Sequence, residues 1–330
     1  MSERETKVVV ITGASAGVGR ATAIAFARHG FNVGLMARGR DGLDGAKRDV
    51  EAAGGRALVL PVDVADAEAV SAAAERVVAE WGQIDVWVND AMATIFSPVH
   101  EINPDEFRRV TEVSYLGQVY GTMAALKHMR ARNRGTIVQV GSALSYRSVP
   151  LQSAYCGAKF AIRGFTDALR SELEHAKSRV RVSMVQLPAV NTPQFEWARS
   201  RLPRRLQPLP PIYQPEAIAL EIVRAARNAP RELWIGASAL KAIIGTLLLP
   251  QLADRILASE GYDGQQAQEP ARDRPDNLFE PVPGDAGAHG RFDAQARRAV
   301  TGFNPAWLRV GAALTLLGVV ASAAVLGRAR

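Results

Sequence analysis

The run Val8-Val9-Val10-Ile11 breaks into Thr12-Gly13-Ala14-Ser15-Ala16-Gly17-Val18-Gly19, and a helical pattern then continues to His29-Gly30. An unbroken run of β-branched residues suits a strand covered on both faces, and such strands sit in parallel sheets. Parallel neighbours need a crossover connection, so the rest of the chain has to alternate strand with helix. Further strand-like runs stand at residues 32–36, 57–60, 84–88, 135–140, 180–185 and 232–235. Helical segments at 41–54, 66–81, 105–133, 155–176 and 214–228 separate them. The expected fold class is α/β, a doubly wound parallel sheet of about seven strands.

The glycine spacing in the first turn is Gly-x-x-x-Gly-x-Gly. Glycines permit a tight turn, and a helix N-terminus presents free N–H groups to an anion. Together they suit the pyrophosphate of a dinucleotide in a Rossmann-like βαβ unit. The plainer reading is a tight turn without a ligand. The second strand ends at Met36-Ala37-Arg38-Gly39-Arg40, with no acid to take a ribose 2′-hydroxyl. Arg38 and Arg40 suit a 2′-phosphate instead, which favours NADP(H) over NAD(H); solvated loop arginines are the alternative. Asp63 follows the third strand, where it can accept from an adenine amino group or cap the next helix.

Ser142 falls at the carboxyl end of the fifth strand, where open α/β sheets place their ligands. Tyr155 and Lys159 lie four apart on the helix that follows, hence on one face. A free phenol is a poor base at neutral pH, and a nearby ammonium is expected to lower its pKa. Ser142 can hold a substrate oxygen while Tyr155 gives or takes its proton, the apparatus needed when a hydride moves at the adjoining carbon.

These motifs together resemble the short-chain dehydrogenase/reductase family, in its single-domain form, over about residues 6–240: Thr12-Gly13-x-x-x-Gly17-x-Gly19, Asp63-Val64, the Asn89 turn, Ser142, Tyr155-x-x-x-Lys159 and Pro188 to Thr192. The resemblance implies that Tyr155 is the general acid/base. Lys159 would lower its pKa and bind the nicotinamide ribose, and Ser142 would orient the substrate. Gly13, Ser15, Gly17, Val18 and Gly19 would cradle the pyrophosphate. Asp63 and Val64 would lie at the adenine, Asn89 and Ala91 on the adenosine and ribose side, and Val190 and Thr192 at the carboxamide. Arg38 would again select NADP(H). A dimer or tetramer is the family's habit. The implied function is hydride transfer between NADP(H) and a carbonyl or secondary alcohol. The alternative is a weak or inactive NADP(H)-binding scaffold or sensor.

Three positions depart from the family pattern. Asn89-Asp90-Ala91-Met92 lacks the usual final glycine, and Pro188-Ala189 replaces Pro-Gly. Ser114 stands where the family usually has an asparagine that holds a water in the proton relay. Ser114 is therefore a fourth candidate catalytic residue, with a slowed or re-routed relay as the expectation.

Composition excludes several classes. The charge of +7 is spread out, without an aromatic-basic stripe, so nucleic acid is not an expected partner. Cys156 is the only cysteine, which rules out an internal disulfide, and the five histidines show no metal-ligand spacing. Cys156 has no evident base beside it and reads as packing. Residues 1–7 are polar and unlike a leader, so the catalytic domain is expected in the cytoplasm.

Residues 1–260 read as the nucleotide-binding domain, with a basic, proline-stiffened substrate loop at 199–213. Residues 240–257 are strongly apolar, suited to core or dimer packing, to covering the site or to lying on a membrane. Residues 261–305 are polar and read as an irregular arm or linker, of which 277–282 could pack along the domain. Residues 306–330 carry an uncharged run from Val310 to Leu326, flanked by Trp307, Arg309, Arg328 and Arg330. That pattern suits a terminal membrane anchor helix. The apolar segments suggest a lipophilic carbonyl substrate.

Overall fold

The structure is a computed structural model that describes residues 6–306 and Gly311. Strands β1 (Val8–Thr12), β2 (Asn32–Ala37), β3 (Ala57–Pro61), β4 (Val86–Asn89), β5 (Gly135–Ser142), β6 (Val180–Leu187), β7 (Glu232–Ile235) and β8 (Gly302–Phe303) form one sheet in the order β8-β7-β6-β5-β4-β1-β2-β3. The first seven are parallel, as their β-branched runs require. β8 adds an eighth, antiparallel strand at the β7 edge, with Trp234 opposite Phe303.

Side chains alternate across the sheet. Val9 and Ile11 pack into one buried layer with Phe26 and Leu43, whereas Val8 and Val10 pack into the other with Val77 and Trp87. Helices α1 (Gly17–Arg28), α2 (Arg40–Ala52) and α7 (Pro215–Asn228) contribute to the first layer. The second takes side chains from α3 (Ala67–Trp81), α4 (Pro104–Thr111), α5 (Gly117–Ala131) and α6 (Ser153–His175). The chain moves outward from β1 to β3, then returns to place β4 on β1's other side. That reversal opens a crevice at the carboxyl ends of β1 and β4, where Thr12 pairs with Asn89.

The helical segment expected at 105–133 is interrupted. A π-helical turn, Glu112–Leu116, lies between α4 and α5 and sets Ser114 in the interior. Residues 240–257 fold as α8 (Ala237–Leu248) and α9 (Pro250–Ile256). Only their first part is core: Ala239 and Ile243 are buried, while Leu247 and Leu248 are 70% and 72% exposed.

The polar segment after residue 261 is attached to the domain at several points. Its strand Gln266–Pro270 pairs antiparallel with Arg204–Leu206 of the substrate loop, and its far end supplies β8. Between those strands, Leu278 inserts fully into the second buried layer. Among the described residues no helix is long and apolar enough to cross a membrane. The expected anchor, Val310 to Leu326, lies outside the described residues except for Gly311.

Candidate active site

One cavity of about 470 Å³ runs along the carboxyl ends of the sheet. It brings together Gly13, Ser15, Gly17, Val18, Arg38, Asp63, Val64, Ala91, Ser142, Tyr155, Lys159, Val190 and Thr192. Three other expected site residues, Gly19, Asn89 and Ser114, do not line it.

The glycine turn is shaped by close backbone approach. Gly13 has φ +74°, and a Cβ there would come within 2.9 Å of Ala91 Cα. Gly17 has φ +56°, and its missing side chain leaves room for Thr192. Gly19 packs on the turn from within α1, where a Cβ would lie 2.3 Å from the Gly13 carbonyl oxygen. Ala16, the residue before α1, supplies no side-chain cap, and the first turn carries no acid. The Gly287 carbonyl takes the Gly17 N–H at 3.1 Å and Asp90 faces the Gly19 N–H, so the Val18 end of the helix is the part left toward the cavity for an incoming pyrophosphate.

Asn89 acts behind this turn. It is buried, accepts from Trp87 Nε1 at 2.8 Å, and donates to Gln139 Oε1 at 2.9 Å and Thr122 Oγ1 at 3.1 Å. This network fixes β4 against β5 and α5. The next two amides, of Asp90 and Ala91, both donate to Thr12 Oγ1 at 3.0 Å, which ties the turn to β1.

Ser114 is also structural in its contacts. Its hydroxyl accepts from the Ala93 amide at 2.8 Å and donates to the Ala93 carbonyl at 2.7 Å. Asp63 does not cap α3, a task taken by Asp66, which accepts from Ala69 N–H at 2.9 Å. The Asp63 carboxylate instead accepts from Ala65 N–H at 3.0 Å and forms an ion pair with Arg109.

At the chemical end, Ser142 lies where β5 stops, and its Oγ accepts from Leu144 N–H at 3.1 Å. Its side chain favours the ionised form of Tyr155, which lines the same cavity. Lys159 Nζ is buried 5.4 Å from the Tyr155 ring centroid and donates to Val140 O at 2.7 Å. The expectation of a lowered phenol pKa does not hold in this geometry. Burial pushes Tyr155 well above its ordinary value, with Cys156 and Asp90 adding to the rise against the effect of Ser142.

Asp90 is the charged group that the motif reading left without a role. Burial pushes its carboxyl up, and Lys159 and the Gly19 N–H pull it back. Burial pushes Lys159 down, and Asp90 opposes that. Each of the two groups thus favours the charged form of the other. An aspartate in the second position of Asn89-Asp90-Ala91 was the available signal, because a charge so close to a buried turn needs a partner.

Residues 277–282 pack along the domain, as the sequence suggested, but their place in the cavity wall was missed. Asn277, Pro281, Val282, Gly284 and Ala286 line the same cavity. The nitrogens Nη1 and Nη2 of Arg38 donate to the carbonyls of Phe279 and Asn277. The usable signal was the apolar pair Leu278-Phe279 inside a polar segment. Cys156 is buried and unpaired, consistent with packing. Among the described residues no cluster of His, Cys, Asp or Glu could hold a metal ion.

A family model described as short chain dehydrogenase matches residues 7–202. The uncharacterised oxidoreductase YxnA of Bacillus subtilis (strain 168) is 32% identical over 313 residues, covering 94% of this chain and 84% of that relative. An alcohol dehydrogenase from the archaeon Thermococcus sibiricus, solved with 5-hydroxy-NADP, aligns with a TM-score of 0.60 at 30% identity. That alignment covers 70% of this chain and 96% of the archaeal one. A metagenomic short-chain oxidoreductase in complex with NADP aligns with a TM-score of 0.57 at 29% identity, over 67% of this chain and 90% of the other. Motifs, strand order and these likenesses agree: the chain belongs to the short-chain dehydrogenase/reductase family of oxidoreductases.

Proposed function

We propose that this chain transfers a hydride between NADP(H) and a carbonyl or secondary alcohol. The observation that carries the reading is the convergence of Ser142, Tyr155 and Lys159 on one cavity with the glycine turn. Bound there, the nicotinamide would donate or accept the hydride. Ser142 would hydrogen-bond the substrate oxygen, and Tyr155 would give that oxygen its proton in reduction and remove it in oxidation. The Lys159 ammonium, steadied by the Val140 carbonyl, would offset the negative charge left on the phenol oxygen. A phenol held protonated by burial suits the reductive direction.

Gly13, Ser15, Gly17 and Val18 would hold the pyrophosphate, with Gly19 shaping the turn. Val64 and Ala91 would border the adenosine, and Val190 and Thr192 the carboxamide. Arg38, just past the end of β2, where the sequence 36–38 carries no acid, supports NADP(H), as do the NADP ligands of the two solved relatives. The cavity wall includes Phe96, Leu144, Trp197, Leu209 and Leu257. That lining supports a lipophilic carbonyl substrate.

The test is a fluorescence titration of the full chain with NADPH and NADH, followed by a carbonyl screen with the preferred coenzyme. Tyr155→Phe should abolish turnover and retain coenzyme binding. Turnover that survives in Tyr155→Phe would remove Tyr155 from its role. A folded protein that binds neither coenzyme would overturn the reading.

A further inference from the structure

The arm crosses the cavity from lip to lip. On the β2 side, Arg38 donates to the Asn277 and Phe279 carbonyls, and Arg109 Nε donates to the Leu278 carbonyl at 3.1 Å. Farther along, Asp41 accepts from Gly284 N–H at 2.9 Å, and Asp285 forms ion pairs with buried Arg20 and with Arg48. Over the glycine turn, Gly17 N–H donates to the Gly287 carbonyl at 3.1 Å. On the opposite lip, Asn191 donates to Asp293 at 2.8 Å and accepts from Phe292 N–H at 3.0 Å.

This segment roofs the cavity without filling it. Space remains between the arm and Ser15, Val18, Asp63 and Val64, all of which still line the cavity. The roof is chemically suited to an anion. Pro281, Val282, Gly284 and Ala286 present no carboxylate to the cavity, and Asp285 turns outward onto Arg20 and Arg48. The dock for Asp285 is built into α2. A Cβ on Gly45 would lie 1.9 Å from Asp285 Oδ2, so a helix-interior glycine makes the room.

We propose that residues 277–287 are a coenzyme-binding element. They form the outer wall of the adenosine and pyrophosphate subsite, and the coenzyme leaves only when the arm lifts. This inference rests on the dinucleotide reading of the cavity. Because Arg20, Gly45, Arg48 and Asp285 do not line the cavity, the Asp285 dock can be weakened without altering the lining.

Hydrogen exchange by mass spectrometry on the full chain, with and without NADPH, reads the arm directly. Coenzyme should slow exchange across residues 277–287. Asp285→Asn and Gly45→Leu loosen the Asp285 dock in two different ways, one by removing the charge and the other by filling the room, and leucine is the better helix former at position 45. Both should speed arm exchange and raise the NADPH release rate in stopped flow by about tenfold or more, as expected when one charge-assisted anchor is lost. If NADPH binds the unaltered protein but leaves exchange at 277–287 unchanged, the proposal is overturned and the coenzyme reading stands. Release rates that stay at the parent value in both variants also overturn it. If the folded parent binds neither NADPH nor NADH, both fail together.

Discussion

Ser114 and Ala93 are joined by a two-way hydrogen bond: the serine hydroxyl accepts from the alanine amide and donates to its carbonyl, at 2.8 and 2.7 Å. One side chain therefore satisfies both polar groups of a buried backbone unit. It also fixes the π-helical turn against the segment that leads away from Asn89.

Ser114→Ala leaves that amide and carbonyl unpaired in the interior. The expected loss is about 1–3 kcal/mol of stability, read by denaturant unfolding. Ser114→Asn has to fit a longer amide into the same space, so it should also lose stability rather than gain turnover. A variant that is faster and equally stable would revive a water-relay role for position 114.

Asp90→Asn tests the effect of the Asp90 carboxylate on Tyr155 and Lys159. The carboxylate disfavours the phenolate, so its removal lets the Tyr155 pKa fall. It also removes the charge that holds Lys159 up, so the lysine loses its proton at lower pH. Both shifts run the same way. The rising limb of alcohol oxidation and any alkaline fall should move to lower pH, as read from kcat between about pH 6 and pH 10. An unmoved profile would show that Asp90 serves the turn alone.

Arg38→Ala should reduce the preference for NADPH over NADH by about tenfold, the worth of a charge-assisted phosphate contact. Because the same guanidinium holds the Asn277 and Phe279 carbonyls, NADH binding should weaken too, by less. Isothermal titration with both coenzymes separates the two effects. Equal weakening would leave Arg38 as an anchor for the arm and nothing more.

Glu106 joins α4 to the substrate loop. It accepts from Arg199 at 2.9 Å, from Arg201 at 2.7 and 2.8 Å, and from Asn103 N–H at 2.9 Å. Burial alone would raise its pKa, but these donors outweigh burial and hold it below the ordinary value. Its contribution is present above the unfolded carboxylate pKa and is lost as pH falls through the folded value. Glu106→Gln should therefore cost about 3–5 kcal/mol near neutrality, with the gap to the parent closing in acid. Unfolding at a series of pH values checks this.

The seven parallel strands were legible because each is a run long enough to show its burial. β8 was not, since Gly302 and Phe303 carry no pattern and pair only because the arm delivers them to the β7 edge. The site was legible where chemistry fixes spacing, as with Tyr155 and Lys159, and where glycine meets close backbone, as at Gly13 and Gly17. Asn89 and Ser114 were visible as motif positions, but their hydrogen bonds point inward to Trp87, Gln139 and Ala93, a direction spacing does not encode. The outward face of Leu247 and Leu248 likewise depends on which side of α8 meets the domain. The packing of 277–282 showed in Leu278 and Phe279, but the arm's course over the cavity was hidden because it is held mainly by backbone carbonyls and by salt bridges between residues more than two hundred positions apart.

The arm is pinned at both ends, by Gln266–Pro270 on the substrate loop and by Gly302–Phe303 on the sheet edge. It can bow outward without leaving. Its return is therefore an intramolecular event, governed by an effective concentration set by the length of the tether. Dilution that would strip a lid supplied by a neighbouring molecule leaves this one in place, so each chain carries its own closure at any protein concentration.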